Sequence, residues 1–360
     1  MVKILQSLVT GQIFAKETWK EAAAVAAPTV NVTLRRAVHG FYQLLLSIIV
    51  LGLICALDLV SWSESIYDSR RHIPRHCGRM QHDREGKGIL PDIAYGRERR
   101  RYAVVTLLTT SSYVKQAEVL GKSLLVYSHL PCSVDMVVLI LPRSDVTHQD
   151  VELLSQAGWM VETIPRLAAP ERINSSTVKH ARYIPLVSKL VLFNMTRYDG
   201  MLYLDSDTLV LGGIAELFSR HLPEMRRRGL NLGWVRDQGE QFRARSFNAG
   251  VMLVAPSKRV FGRLMRFLHE GAFEVSFAEQ GLLNAFFGHH SYELDQRFNL
   301  LTTVPRENRT LYESIKHDVR IFHSTYFKPT CSFYLVRCFW HGTHDFCREW
   351  QRLEALQVKV

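Results

Sequence analysis

Asp205-Ser206-Asp207 puts two carboxylates one residue apart, directly behind the apolar run Met201 to Leu204. Two carboxylates at a strand end can share a hard divalent cation and orient a phosphate on it. Asp-x-Asp alone is a common pattern and usually a solvated turn; its place behind a buried strand is what points to metal. A second group follows the apolar run Tyr102 to Thr109, where Leu107, Thr109, Thr110 and Tyr113 offer two hydroxyls and an aromatic ring. Ligands of open α/β sheets bind beyond the carboxyl ends of the strands, so both groups stand where a site is expected. Cys331, Cys338 and Cys347 are spaced by seven and nine residues, which matches no common zinc pattern. An oxidising compartment would permit one disulfide among them.

The elements that must position these residues alternate. Tyr102 to Thr109 and Val134 to Leu141 are nearly continuous apolar runs, as strands buried on both faces require. Tyr113 to Val126 carries Ala117, Leu120 and Leu124 at helical spacing, and Val151 to Ala157 also reads as helical. Met160 to Ile164 is a short strand, and Ile184 to Tyr198 has a helical stripe through Leu186, Leu190 and Phe193. Met201 to Leu204 is again a strand, with Leu209 to Leu211 as its continuation; Leu230 to Val235 and Gly250 to Val254 complete the set. Strand, crossover, strand at this spacing predicts an α/β domain with a mostly parallel sheet flanked by helices.

The N-terminal quarter is built differently. Phe41 to Val60 is apolar apart from Gln43 and Asp58, and at about 1.5 Å per residue it covers roughly 30 Å, the hydrocarbon thickness of a bilayer. The expected organisation is a cytosolic tail over 1–40, one transmembrane anchor over 41–60, a basic stem over 61–101, a catalytic domain over 102–345 and a C-terminal helix or tail over 346–360. Lys16, Lys20, Arg35 and Arg36 precede the run, whereas Asp58, Glu64 and Asp68 follow it, which predicts a single-pass type II orientation with the body luminal. Sequons at Asn174, Asn194 and Asn308 agree with that placement. The chain of 360 residues is 47% hydrophobic, a globular share. Its net charge of +11 is densest in residues 61–101, with ten basic and six acidic side chains and few aromatics. Surfaces that track phosphates interleave basic residues with stacking rings, so no nucleic-acid partner is expected.

Five ordered blocks carry a family resemblance: YAVVTLLTTSSYVKQAEVLGKSL, SKLVLFNMTRYDGMLYLDSDTLVL, SFNAGVMLVAPS, EQGLLNAFF and FHSTYFKP. From about Tyr102 to Pro329 the chain resembles the glycogenin-like glycosyltransferases of family 8. Cys331, Cys338 and Trp340 more faintly resemble the plant glucuronosyltransferase branch, which is typically Golgi-anchored by one N-terminal span. The resemblance implies a single GT-A-type nucleotide-sugar-binding domain, a UDP-sugar donor and a Mn²⁺ requirement, with Mg²⁺ as the substitute. It implies that Leu107, Thr109, Thr110 and Tyr113 hold the uridine, Tyr113 stacking on the base. Lys189 would reach the donor. Asp205 and Asp207 would be the metal pair, with Asp205 and Ser206 also beside the donor, and His323 the third ligand. Lys328 would neutralise the diphosphate, Asn248 and Ala249 would run beside the sugar, and Glu279 and Gln280 would lie under it.

These residue types suit the reaction, because the hard step in glycosyl transfer is departure of the nucleoside diphosphate. A metal with Lys328 stabilises the developing charge. The family retains anomeric configuration, by a same-face route or by double displacement, for which Glu279 is the evident carboxylate. Two departures from the family pattern stand out: Glu279 replaces an Asp, and Thr330 replaces a Trp after the lysine. The expected function is transfer of a hexosyl group, glucose or glucuronic acid, to a glycan or glycolipid acceptor by an enzyme held to the lipid bilayer through one span. The alternative is a pseudo-glycosyltransferase serving as an anchored sugar-binding or scaffold protein. A carboxylate-bearing donor would want an extra basic side chain, which Arg182 could supply.

Overall fold

The computed structural model describes residues 101–237, 246–329 and 334–357, all within the compact unit Ile73–Val360. The apolar runs become β1 (Tyr102–Leu108), β2 (Val134–Ile140), β3 (Met160–Thr163) and β4 (Gly200–Leu204), which pair parallel in the order β3-β2-β1-β4. Between them run α1 (Val114–Tyr127), α2 (His148–Gln156) and a 3-10 helix, Ala181–Asn194. Side-chain alternation along β1 sends Ala103, Val105 and Leu107 into one core layer, and Val104 and Leu108 into the other. Helices cover both layers, which is why these strands read as unbroken apolar runs. A capping box starts α2: the Thr147 hydroxyl accepts from Asp150 N–H, while the Asp150 carboxylate accepts from Thr147 N–H.

The helix Ala181–Asn194 replaces the α-helix expected over 184–198. Its three-residue repeat aligns Val187, Leu190 and Phe193, all fully buried, along one ridge. The same repeat sets Tyr183, Leu186 and Lys189 along another.

The remaining elements are β5 (Thr208–Val210), α3 (Leu222–Arg227), β6 (Leu232–Arg236), β7 (Phe247–Val254), α4 (Lys258–Glu270), α5 (Glu279–Phe287), β8 (Tyr292–Leu294), β9 (Leu300–Leu301), α6 (Val304–Glu307), α7 (Arg309–Ile315), β10 (Ile321–His323), α8 (Tyr334–His341) and α9 (His344–Ala355). The main sheet has the order β3-β2-β1-β4-β7-β6-β8, with β7 antiparallel to both neighbours and β8 parallel to β6. An antiparallel β7 delivers its first residues, Asn248 and Ala249, to the edge where β1 and β4 end. The register Leu204↔Val251 brings Asp205 against Gly250, whose carbonyl accepts from Asp205 N–H at 2.7 Å.

Two further expectations are corrected. Leu209 to Leu211 does not continue β4: the chain turns through Asp205–Asp207, and β5 joins a separate sheet of order β5-β10-β9. The α/β part of the fold class stands, but no helix among the described residues is long and apolar enough to cross a membrane. α1 and Ala181–Asn194 reach only 14 residues each, against about 20 for a span. The run 41–60, the tail before it and the stem to residue 100 lie outside the described residues.

The second sheet packs with the C-terminal helices. On α9, Cys347, Trp350 and Leu353 recur every three residues and are buried against Leu209, Phe322 and Val119 of α1. Tyr127 of α1 donates to Glu349 Oε1 at 2.6 Å, and a disulfide joins Cys338 to Cys347 across the α8–α9 turn. Cys132 is also disulfide-bonded, whereas Cys331 lies outside the described residues.

Candidate active site

A cleft of about 400 Å³ opens at the carboxyl edge of β1 and β4. Leu107, Thr109 and Tyr113 line it from the β1 end, Asp205, Ser206 and Asp207 from the β4 end, and Asn248 and Ala249 from the start of β7. Lys189, Glu279, Gln280, His323 and Lys328 complete the expected set on its walls. Thr110 is the exception. It is exposed, its hydroxyl is hydrogen-bonded to Ser112 at 2.6 Å, and it does not line the cleft. The loop after β1 is tied instead through Ser111, whose N–H and hydroxyl both donate to Asp145 at 2.7 Å.

Asp205, Asp207 and His323 each bring a ligand atom within 4.8 Å of the others. His323 Nε2 lies 3.3 Å from Asp207 Oδ1 and 3.8 Å from Asp205 Oδ2. This convergence comes from strand pairing: β10 runs antiparallel to β5, setting His323 opposite Thr208 and therefore beside Asp207. The imidazole is oriented by a chain that starts at the backbone. Gly250 N–H donates to Asn248 Oδ1 at 2.9 Å, and the Asn299 amide N–H donates to the same oxygen at 3.1 Å. Asn299 therefore presents its oxygen to His323 Nδ1, 3.1 Å away, so Nδ1 is a donor to Asn299 and Nε2 is the ring atom turned to the two carboxylates. Gly250 leaves room for that ring: a Cβ there would come within 2.1 Å of His323 Cε1. Two carboxylate oxygens and one imidazole form a donor set that suits a hard or borderline divalent cation. Lys328 is bonded to Asp207 Oδ2 and is held by the Ser324 carbonyl at 3.3 Å. Burial alone would raise the Asp207 carboxyl, but Lys328 and then His323 outweigh it and hold it well below the usual carboxylate range.

On the other side of Asp205, Lys189 is the hub. Its ammonium lies 2.9 Å from both Asp205 Oδ1 and Glu279 Oε1, with the side chain only 2% exposed. Burial opposes that charge, yet Asp205 and Glu279 overcome it and hold Lys189 well above the ordinary lysine value. One ammonium cannot neutralise two carboxylates, and burial pushes Glu279 up while Lys189 pulls it down. The Tyr203 hydroxyl donates to Asp205 Oδ1 at 2.7 Å, so Asp205 is held from two sides. Gln280 accepts from Ala249 N–H at 2.9 Å and donates to Asp237 at 3.3 Å, locking the start of α5 to the start of β7. Ala278, just before α5, is buried at φ +46°, a conformation unfavourable for a residue with a Cβ. Strain at this point delivers Glu279 and Gln280 into the cleft from the first turn of the helix.

Sequence reasoning missed Tyr203, Asp237 and Asn299. Tyr203 carried a usable signal: two residues before Asp205 on a strand, it shares a face with the residues flanking the turn. Asn299 and Asp237 carried none, since a lone amide or carboxylate in a loop is ordinary.

The chain has relatives of known activity. The chain is 30% identical over 196 residues to inositol phosphorylceramide glucuronosyltransferase 1 of Arabidopsis thaliana, covering 54% of this chain and 32% of that protein. It is 31% identical over 187 residues to glycogenin-1 of Oryctolagus cuniculus, covering 51% and 50%. It thus spans half or less of the length of these relatives. The galactosyltransferase LgtC, crystallised with donor and acceptor sugar analogues, superposes with a TM-score of 0.53 at 18% identity, over 72% of this chain and 97% of that one, a likeness of fold. Residues 104–329, more than half of the sequence and all of the cleft described above, match the family profile, and the chain belongs to glycosyl transferase family 8.

Proposed function

We propose that this glycosyltransferase moves a hexosyl group, glucose or glucuronic acid, from a UDP-sugar to a glycan or glycolipid acceptor with retention of configuration. The observation that carries the reading is the convergence of Asp205, Asp207, His323 and Lys328 at one end of a cleft whose other residues include Tyr113 and the Lys189–Glu279 pair. A divalent cation, Mn²⁺ foremost, would be held by Asp205, Asp207 and His323, and when bound would supply positive charge to the diphosphate as it departs. Lys328 adds a second positive charge at the same place. Tyr113, Leu107 and Thr109 would take the uridine, Tyr113 by stacking, with Asp205 and Ser206 beside the ribose. Asn248, Ala249 and Gln280 would position the sugar.

Retention is best served here by a same-face route. The Glu279 carboxylate is engaged by Lys189 at 2.9 Å, so its role is to hold the lysine against Asp205 rather than to attack the anomeric carbon. The leaving phosphate would then accept the acceptor's proton. Cys338–Cys347 supports an oxidising compartment, and we place the domain in the lumen of the secretory pathway.

The test is UDP release by the purified chain from a panel of UDP-sugars, with Mn²⁺ or with EDTA. Metal-dependent release from one donor is the expected result. Failure to release UDP from any of them, together with failure to bind UDP and Mn²⁺ by calorimetry, would leave a pseudo-glycosyltransferase.

A further inference from the structure

The backbone carbonyl of His323 anchors two stretches of chain at once. Thr302 donates to it through its N–H at 3.1 Å and its hydroxyl at 3.0 Å, and Thr325 N–H donates at 2.9 Å. On one side, β9 pairs Leu301 with His323 and the chain turns directly into α6, where Thr303 and Glu307 line the cleft one turn apart. On the other, the Ser324 hydroxyl donates to the Phe327 carbonyl at 2.7 Å and closes a turn with Thr325 and Tyr326 at its centre, both also lining the cleft. Tyr326 is largely exposed, yet its ring is braced 5.1 Å from the ring of His341. Glu307 acts on the same histidine: burial and then Arg306 hold His341 below its ordinary value, against the pull of Glu307. The Glu307 carboxylate is itself exposed and makes no ion pair with any described residue.

On the same-face reading above, the acceptor oxygen bonds the anomeric carbon as that carbon's bond to the phosphate oxygen breaks. The acceptor's proton passes to the departing phosphate. The acceptor must then stand beside the phosphate, at the end of the cleft where Asp205, Asp207, His323 and Lys328 converge. Thr303, Glu307 and Tyr326 line the cleft at that end and have no part in holding the donor. A pyranose carries C–H bonds on its face and hydroxyls around its edge. An open aromatic face suits the first, and a carboxylate accepting from two neighbouring hydroxyls suits the second. An anionic acceptor would meet Glu307 as a like charge. We propose that Tyr326 and Glu307 form the acceptor subsite, and that it takes an uncharged pyranose, its face on Tyr326 and its hydroxyls on Glu307. The inference rests on the UDP-sugar reading above.

The probes are the methyl glycosides of glucose, galactose and mannose, with methyl glucuronide as the charged counterpart, added to the full chain with Mn²⁺ and a UDP-sugar. At least one neutral glycoside should stimulate UDP release, and the glucuronide should stimulate it less. Tyr326→Ala should raise the half-stimulating glycoside concentration about five-fold relative to the donor KM, the scale of an aromatic contact. Tyr326→Phe, which keeps the ring, should stay with the wild type. Glu307→Gln should raise the same ratio about ten-fold, the scale of a charge-assisted hydrogen bond. Equal losses for donor and acceptor, half-stimulation unmoved by either substitution, or stimulation by the glucuronide alone would overturn the proposal. The two readings fail differently. UDP release that no neutral glycoside stimulates sinks the acceptor subsite alone, whereas no binding of any UDP-sugar sinks the parent reading as well.

Discussion

On the floor of the cleft Lys189 is 2% exposed and shared by two carboxylates, while on its rim Arg182 is exposed and faces one aromatic ring. Asp207 likewise sits on the floor, 7% exposed, between Lys328 and His323, whereas Tyr326 lines the mouth of the same cleft at 67% exposure. Floor charges are held in place by neighbours that would suffer if they moved, because a buried charge left unpaired costs several kcal/mol. Rim side chains carry no such penalty. The contrast separates two kinds of position: a floor substitution breaks paired, buried charge, whereas a rim substitution does not cost the fold.

The sharpest way to break that contrast is on the floor. Asp207→Ala removes one carboxylate of the proposed metal site and strands Lys328 and His323, and metal-dependent UDP release should fall by two to three orders of magnitude or more, in line with loss of a transition-state charge stabiliser. Circular dichroism should report an intact fold, and preserved turnover in that variant would remove the metal assignment. One step further out, Gly250→Ala must displace His323, since the new Cβ would lie 2.1 Å from the ring. Asn299→Ala leaves His323 Nδ1 without its acceptor. Each should weaken Mn²⁺ affinity by about 10- to 100-fold, the usual scale for groups that orient a ligand, as measured by metal titration of UDP release.

Acid should distinguish the floor by a different readout. Asp207 is held below its unfolded value, which is about 3.9 for an aspartate. Its stabilising contribution is therefore complete above that value and lost as pH falls through the folded one. Thermal melts of Asp207→Asn should approach those of the wild type as pH is lowered below about 4, and a constant difference between pH 7 and pH 3 would contradict the pairing with Lys328. A stability test away from the cleft sharpens the comparison further. Replacing Cys338 and Cys347 with Ser opens a disulfide nine residues apart in sequence and should cost about 2 to 3 kcal/mol in denaturant unfolding, with little change in metal affinity. The smallest effect belongs to the rim: Tyr326→Ala should alter KM by only a few-fold and leave Mn²⁺ affinity as it was.

Much of this site could be read from residue types and spacing. The apolar runs that became β1, β2 and β4 were unmistakable because parallel strands covered on both faces need no polar alternation. The rule that ligands gather beyond strand ends then picked out Asp205, Asp207, Leu107, Thr109, Thr110 and Tyr113 without reference to any relative, and all but Thr110 line the cleft. Family resemblance added His323, Lys328, Lys189 and Glu279, and all four line the cleft. Thr110, offered by the strand-end rule and by the resemblance alike, shows the limit of both, since one residue along a turn is enough to point a side chain to solvent. The strand expected near 209–211 formed, but not as a continuation of β4: an apolar triplet behind a turn is compatible with either sheet, and only its partner decides.

The sequence by itself determined which segments must be buried, where the strands end and which chemical groups stand at those ends, because burial and alternation are properties of neighbouring residues. Tertiary structure decided how the groups meet. Lys328 bonds a carboxylate 121 residues earlier in the chain, and His323 reaches Asp207 only because β10 pairs with β5. Asn299 fixes the histidine through an amide chain that begins at the backbone of Gly250, which is itself across the sheet from Asp205. Contacts of that kind depend on register between distant strands, and local patterns carry no information about register until the partner strand is known.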